Sequence, residues 1–243
     1  MRRDDAAHQL PCRPTVPRRS RQATGGLVFH VVNRGSRRGL LFDSYAGYLV
    51  FESLLVAAAR KFDVEIFAYC LMPNHWHLLI RPRTDGALSR CMHWLTTTHA
   101  RRWHLAHGTD GQGAVYQGRF KAIPVATDAH FLWVCRYVER NAMSASLVTL
   151  AEEWQWSSLW QRLNNPHATW LACWPVPAGS DWLGFVNDSH TGSEVEAFRS
   201  AWQKNEPFGP ADWRISVMTQ LGKGSKRSAG RPLKRTPDPI TDL

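Results

Sequence analysis

Long apolar runs are missing from this 243-residue chain: no stretch of about 18 apolar residues occurs, the length a membrane-spanning helix needs. The opening residues, MRRDDAAHQLPCRPTVPRRSR, hold no apolar segment of the kind a secretory leader uses. No membrane association is expected, and a cytoplasmic location is. Cysteine is scarce as well: Cys12, Cys70, Cys91, Cys135 and Cys173 are odd in number and scattered, with no C-x-x-C pair. A disulfide scaffold and a cysteine zinc site are both disfavoured, which fits a reducing compartment. No internal repeat is present. Apolar material is not short, since 44% of residues are hydrophobic and 11% aromatic, enough for a packed core.

Positive charge is abundant, and its distribution is uneven. Residues 1–22 carry 6 basic and 2 acidic side chains, and residues 222–243 carry the same numbers. Residues 23–150 hold 14 basic against 8 acidic, while residues 151–221 reverse the balance with 4 against 8. Basic tails flanking a basic body favour a polyanionic partner, most simply nucleic acid. A charge excess that only keeps the chain soluble is the plainer alternative. Both tails are also rich in Pro, Ser and Arg and read as flexible.

The element order follows from periodicity. GLVFHVVNR (26–34) reads as a strand stopped by Gly35. A helix over about 44–61 follows, with Asp43 as its cap and Tyr45, Leu49, Leu55, Val56 and Phe62 as its apolar stripe. VEIFAYCLM (64–72) is a second strand, Pro73-Asn74 a turn, and a third strand starts at His75. A second helix fits 86–106, and VYQGRFKAIPV (115–125) a fourth strand that Pro124 confines to an edge or an end. The order β-α-β-β-α-β predicts an α+β, ferredoxin-like (split βαβ) antiparallel sheet. A further helix follows, capped by Asp128, with Phe131, Cys135, Val138 and Ala142 as its buried stripe. Beyond residue 150 the chain is rich in tryptophan and poorly periodic, which we read as an acidic helical extension.

The chemistry-bearing residues cluster in LMPNHWHLLI (71–80) and RYVERN (136–141). His75 and His77 are two apart on a strand and project from one side, a ready pair of metal ligands. The same pair also suits a solvated sheet face, and spacing alone does not choose. Tyr137 and Asn141 are four apart and share one face of their helix. A tyrosine beside an apolar stripe is ordinarily a packing residue. Together, two imidazoles and the Asn141 amide oxygen suit one divalent cation, with a lean towards Mn²⁺ over Mg²⁺ because imidazole is the softer ligand. Tyr137 then becomes a candidate nucleophile for phosphodiester chemistry. Arg119 and Lys121 alternate with Phe120 on the fourth strand and are expected to grip phosphates from one face. Gly118 leaves room for a close approach of DNA. A solvated edge strand is the alternative for that stretch.

These residues resemble the single-tyrosine HUH transposases, an insertion-sequence family, and within it the REP-associated tyrosine transposases. The matching stretches are HVVNRGSRR (30–38), AYCLMPNHWHLLI (68–80), VYQGRFKAIPV (115–125), RYVERN (136–141) and EWQWSSLW (153–160), with looser likeness to residue 235. The resemblance implies a catalytic domain that cuts and joins single-stranded or hairpin DNA through a 5′-phosphotyrosine and a free 3′-OH. The metal motif falls on His75 and His77, the third ligand on Asn141, and the nucleophile on Tyr137. DNA contacts would fall on Asn33, Arg34, Arg119 and Lys121, with Arg231, Lys234 and Arg235 in a tail that looks like a short minor-groove arm. A divalent cation, Mg²⁺ or Mn²⁺, is the implied cofactor. The implied location is the cytoplasm, in association with the nucleoid, and the protein would be a monomer or a homodimer.

The implied organisation is a basic tail over 1–22, a catalytic domain over 23–163, a Trp-rich helical extension over 164–221 and a basic DNA-binding tail over 222–243. One departure stands out. After the asparagine the family commonly continues with Pro and a short Arg-Ala-Gly stretch, where this chain has Ala142-Met143-Ser144-Ala145-Ser146. That change bears on DNA contact and on how the helix ends, and it keeps a non-catalytic hairpin binder of the same fold in play. A metal-dependent hydrolase fits less well, because no H-x-H-x-D-H extension exists and the strands are too few for a barrel.

Overall fold

The computed structural model describes residues 23–167 and 169–222. Four strands, β1 (Val28–Arg34), β2 (Val64–Met72), β3 (His75–Pro82) and β4 (Lys121–Val125), form one antiparallel sheet in the order β2-β3-β1-β4. Helix α1 (Tyr45–Phe62) connects β1 to β2, and α2 (Ala87–His107) connects β3 to β4. This is the expected β-α-β-β-α-β order. The Pro73-Asn74 turn joins β2 to β3 and is held by its own carbonyls. The Pro73 carbonyl accepts from the backbone N–H of Leu41 and Phe42, and that of Asn74 from Gly35. A side chain at Gly35 would collide with the Gly39 carbonyl, so glycine is required where this segment folds over the turn.

The cap of α1 is Ser44, whose hydroxyl accepts from Gly47 N–H, rather than Asp43. The Asp43 carboxylate is instead paired with His107 at the end of α2. The stripe of α1 is also turned from the expected one. Tyr48, Phe51, Leu54, Leu55, Ala58 and Ala59 are buried, whereas Tyr45 and Leu49 face solvent. Both stripes fit a period of 3.6. The one with small Ala58 and Ala59 at its end lets α1 lie close against the sheet and α2.

Strand alternation divides the core in two. Phe29, Val31, Trp76, Leu78 and Ile80 meet α1 and α2 on one face. Val28, Cys70, Leu79, Ile123 and Val125 meet α3 (Ala129–Glu139) on the other. Asp128 caps α3 by accepting from His130 N–H, and Phe131, Cys135, Val138 and Ala142 are all fully buried, as the periodicity predicts. A short turn of helix, α4 (Asn141–Ser144), continues α3 after Arg140. It ends with Ser146 in the left-handed region at φ 56°. The exit that a glycine would make without strain is made here by a serine.

The tryptophan-rich remainder wraps the sheet. Its further helices are α5 (Ser158–Asn164), α6 (Trp182–Asn187), α7 (Gly192–Lys204) and α8 (Ala211–Gln220). Along the β2 edge, Leu71 N–H donates to the Trp156 carbonyl, and Ala172 N–H to the Ile66 carbonyl. The indole N–H groups of Trp154 and Trp174 donate to the carbonyls of Leu71 and Phe67. At the opposite edge, Pro124 lies in β4 and its carbonyl accepts from Phe208 N–H. Both sheet edges are thereby met at isolated points, which reduces the unpaired backbone that exposed edges present. Poor periodicity in this region reflects a wrap made of single anchoring rings instead of continuous stripes.

At the far end of the β2–β3 pair, Glu65 opposes Arg81 in register and accepts from its Nε at 2.6 Å and its Nη2 at 3.0 Å. That hydrogen bond holds the Glu65 carboxyl below its ordinary value, against the opposing effect of burial. A carboxyl depressed in the folded state adds stability above its unfolded pKa and loses it as pH falls through the folded value. Glu65→Gln is expected to cost about 1 kcal/mol at pH 7 and to cost nothing near pH 3. Urea titrations of both proteins at the two pH values check this, and an unchanged gap in acid would refute it.

Candidate functional site

The sheet face that carries α3 also carries both histidines. His75 opens β3 opposite Arg34 and Met72, and His77 lies opposite Val32 and Cys70. Trp76 between them enters the other core, where its indole N–H donates to the Tyr116 hydroxyl at 3.4 Å. The solvated-face alternative fails, because His75 is 3% exposed, His77 2% and Asn141 2%. The two imidazole rings have centroids 5.1 Å apart, and the Tyr137 ring lies 5.8 Å from that of His77. Sheet and helix thus bring together the four residues that spacing singled out.

Buried polar atoms nearly always find a partner. Here three atoms of the expected ligand set do not, His75 Nε2, His77 Nε2 and Asn141 Oδ1, and neither does His30 Nδ1 beside them. All three are lone-pair donors of the kind a divalent cation takes, and all belong to the proposed ligand set. The other ring nitrogens are occupied. His75 Nδ1 donates to the Asn74 side-chain oxygen at 2.6 Å, and His77 Nδ1 lies 3.0 Å from His30 Nε2. Among the described residues no three His, Cys, Asp or Glu side chains gather into a metal site by themselves. The Asn141 amide is what would complete this one, so the donors present fit a cation of the Mn²⁺ or Mg²⁺ kind.

Electrostatics support neutral ligands. Burial, helped by the Arg34 cation, pushes His75 down to about 3. Burial and its neighbours His75, His30 and Arg34 hold His77 well below the ordinary histidine value. Both imidazoles are therefore uncharged at neutral pH, the form that ligates metal. Burial pushes Tyr137 up to about 12, although Arg199, a hydrogen bond from Asn141 and Arg34 all pull the other way. The phenol is protonated at neutral pH and needs a proton acceptor before it can attack.

The remaining sequence-predicted residues divide. Arg34 is half-buried beside the histidines and Tyr137, as its influence on all three shows. Asn33 is buried, and its side chain donates to the Gly118 carbonyl and accepts from Arg34 N–H. It holds the loop at 117–119 in place. The expected strand over 115–125 is shorter than its pattern. Tyr116 makes only an isolated bridge to Gly35, and β4 begins at Lys121. Arg119 is exposed in the intervening loop, so the argument that it shares a strand face with Lys121 does not hold. Lys121 packs its ammonium 4.5 Å from the Trp202 ring centre. Arg231, Lys234 and Arg235 lie outside the described residues.

Sequence reasoning missed the neighbours supplied from afar. His30 stacks on His77 with centroids 5.2 Å apart and touches Tyr137 edge-on at 6.0 Å. Phe198 of α7 packs at 4.9 Å from Tyr137, and Trp202 at 4.9 Å from His30. Strand alternation places His30 on one face with Val32, a signal that was available. A Thr191–Glu194 capping box and the stripe Phe198, Ala201 and Trp202 announce α7 as a helix, but its place over the tyrosine depends on a return of the chain some 60 residues later.

Comparison with known proteins adds to this geometry. Residues 23–141 match the family described as "Transposase IS200 like". That segment is similar to the IS200-like transposases. The transposase match covers β1 to Asn141, and so takes in both histidines and Tyr137. Among solved structures, a REP-associated tyrosine transposase bound to a REP hairpin matches at 19% identity, covering 68% of this chain and 96% of that one, with a TM-score of 0.50. The likeness shows a shared fold. A protein described as a transposase of Deinococcus radiodurans R1 also matches at 19% identity, over 51% of this chain and 96% of that one, with a TM-score of 0.36. No curated protein matches the chain. Among the described residues no helix is long and apolar enough to cross a membrane.

Proposed function

We propose that this protein cleaves and rejoins single-stranded DNA at palindromic, REP-like hairpins, with Tyr137 as nucleophile and His75, His77 and Asn141 as ligands of one divalent cation. The observation that carries the reading is the trio of buried, unpartnered lone-pair atoms beside a half-buried tyrosine. Tyr137 Oη forms a bond to the phosphorus while the bond from phosphorus to the 3′ oxygen breaks. The phenolic proton passes to solvent water, the departing 3′ oxygen takes one from water, and a 5′-phosphotyrosine and a free 3′-OH result. A divalent cation there would supply Lewis-acid polarisation of a phosphate oxygen. The two histidines, held neutral by burial, and the Asn141 amide would hold it. Arg34 and Arg199 contribute the positive field that favours phenolate over phenol and attracts a phosphate. The shared fold, the basic composition and the hairpin bound by the solved relative support the hairpin target.

The test is a covalent-adduct assay. Purified protein is incubated with labelled single-stranded hairpin oligonucleotides carrying 5′ and 3′ flanks, in Mn²⁺, Mg²⁺ or EDTA, and run on a denaturing gel. A shifted band in Mn²⁺ and Mg²⁺ that disappears in EDTA is the expected result. Tight hairpin binding with no band, across several palindromes and both cations, would replace this proposal with the non-catalytic binder.

A further inference from the structure

The cation reading leaves one buried group beside the site without a role. His30 is 1% exposed in the middle of β1, and its Nε2 lies 3.0 Å from Nδ1 of His77. Its ring is fixed on three further sides by Trp202 at 4.9 Å, Phe198 at 5.3 Å and Tyr137 at 6.0 Å. Its own Nδ1 has no hydrogen-bond partner. Apolar residues of similar size would fill this position without a buried orphan atom, so packing alone does not account for an imidazole there.

Two neutral imidazoles sharing one hydrogen bond have two arrangements. In the first, His77 Nδ1–H donates to His30 Nε2, and His77 Nε2 keeps its lone pair. In the second, His30 Nε2–H donates to His77 Nδ1, and the proton of His77 sits on Nε2. Only the first leaves His77 able to bind a cation through the atom that lacks a partner. His75 faces no such choice. The Asn74 oxygen can only accept, so His75 Nδ1 must donate and Nε2 is always a lone pair. The two ligands are thus prepared differently: His75 by its chain neighbour, His77 by a residue 47 positions away.

We propose that His30 is a positioning residue, whose Nε2 accepts the Nδ1 proton of His77 and so presents His77 Nε2 as a lone pair to the cation. This rests on the reading that His75, His77 and Asn141 hold a divalent cation. Such outer partners fix the tautomer and orientation of a ligating histidine, and losing one typically lowers metal affinity about 10–100-fold. Phe198 and Trp202 hold the His30 ring, so α7 supports the site from the far end of the chain without a ligand of its own.

The experiment uses the full chain in three forms: wild type, His30→Phe, which keeps a ring but has no acceptor, and His30→Gln, which restores an acceptor. Mn²⁺ affinity is measured by titration calorimetry without DNA. The histidine tautomers are read from long-range ¹H–¹⁵N spectra of metal-free and Mg²⁺-saturated protein. The expected result is a His77 that carries its proton on Nδ1 in the Mg²⁺-bound wild type, with His30 Nε2 unprotonated. Mn²⁺ affinity should fall about tenfold or more in His30→Phe and recover to within about threefold in His30→Gln. A His30→Phe protein that binds Mn²⁺ as tightly as wild type would overturn the inference and leave the cation site standing. So would a proton on His30 Nε2 in the Mg²⁺-bound wild type, a measurement that does not depend on any variant folding. A wild type that binds no cation would overturn both.

Discussion

Tyr137→Phe is expected to form no covalent adduct with any hairpin, in either cation, while binding the same oligonucleotide as tightly as the wild type. The substitution removes one oxygen and keeps the ring, which stacks on Trp133 at 5.5 Å and packs on Phe198 at 4.9 Å. Those contacts hold the side chain in place with or without the hydroxyl, so the melting temperature should move little. Loss of a nucleophile that acts with its activating groups costs about 10⁴-fold or more in rate. No substitute is at hand, because Tyr48, Tyr69 and Tyr116 belong to the core on the opposite face of the sheet and Tyr45 lies on α1, which packs on that same face. A residual band in Tyr137→Phe, mapped to another residue by mass spectrometry, would reassign the nucleophile. Loss of hairpin binding together with the band would show that the hydroxyl serves recognition.

Trp76→Ala separates architecture from chemistry within three consecutive residues. The Trp76 side chain is fully buried between Phe51 and Tyr116, with ring centroids 5.8 and 6.5 Å away. Removing it leaves a large cavity in a close-packed core and breaks its hydrogen bond to Tyr116, and we expect a cost of about 3–5 kcal/mol. The flanking double substitution, His75→Ala with His77→Ala, should cost far less in stability. It removes two buried atoms that have no partner in exchange for two hydrogen bonds, to Asn74 and to His30. It should nevertheless abolish Mn²⁺ binding and the adduct. Urea unfolding of the three proteins, read with Mn²⁺ titration, tests the division. If the double variant were the less stable protein, the histidines would be core residues first, and the case for a ligand pair would collapse.

The stretch after Asn141, where the chain differs from the transposases it resembles, closes the helix by contacts of its own. Ser146 takes up the left-handed conformation, and Leu147 N–H still closes the turn onto the Ala142 carbonyl. Arg140 Nε and Arg136 Nη2 both donate to the Asp188 carbonyl, which ties α3 to the segment leading into α7. The helix that carries Tyr137 is therefore anchored at its end by contacts of its own.

Local rules settled a good part of this protein before any coordinates. Period-two alternation put His75 and His77 on one side of a strand and Trp76 on the other, and a Pro-Asn turn set where that strand starts. Period 3.6 picked out Phe131, Cys135, Val138 and Ala142 as the buried stripe and left Tyr137 and Asn141 on a shared face. Each of these depends only on residues within a few positions of one another, which is why sequence sufficed. It failed where two patterns were equally periodic, as in α1. It failed again where backbone pairing stopped short of the side-chain pattern, as at Arg119, which lies in a loop ahead of β4. Which sheet face received the tyrosine helix, and that His30 would touch His77, depended on strand register across 47 residues. The placing of Phe198, Arg199 and Trp202 over that face depended on a longer return still. Such contacts are chosen by the joint packing of the whole core, a free energy that no single stretch of chain contains.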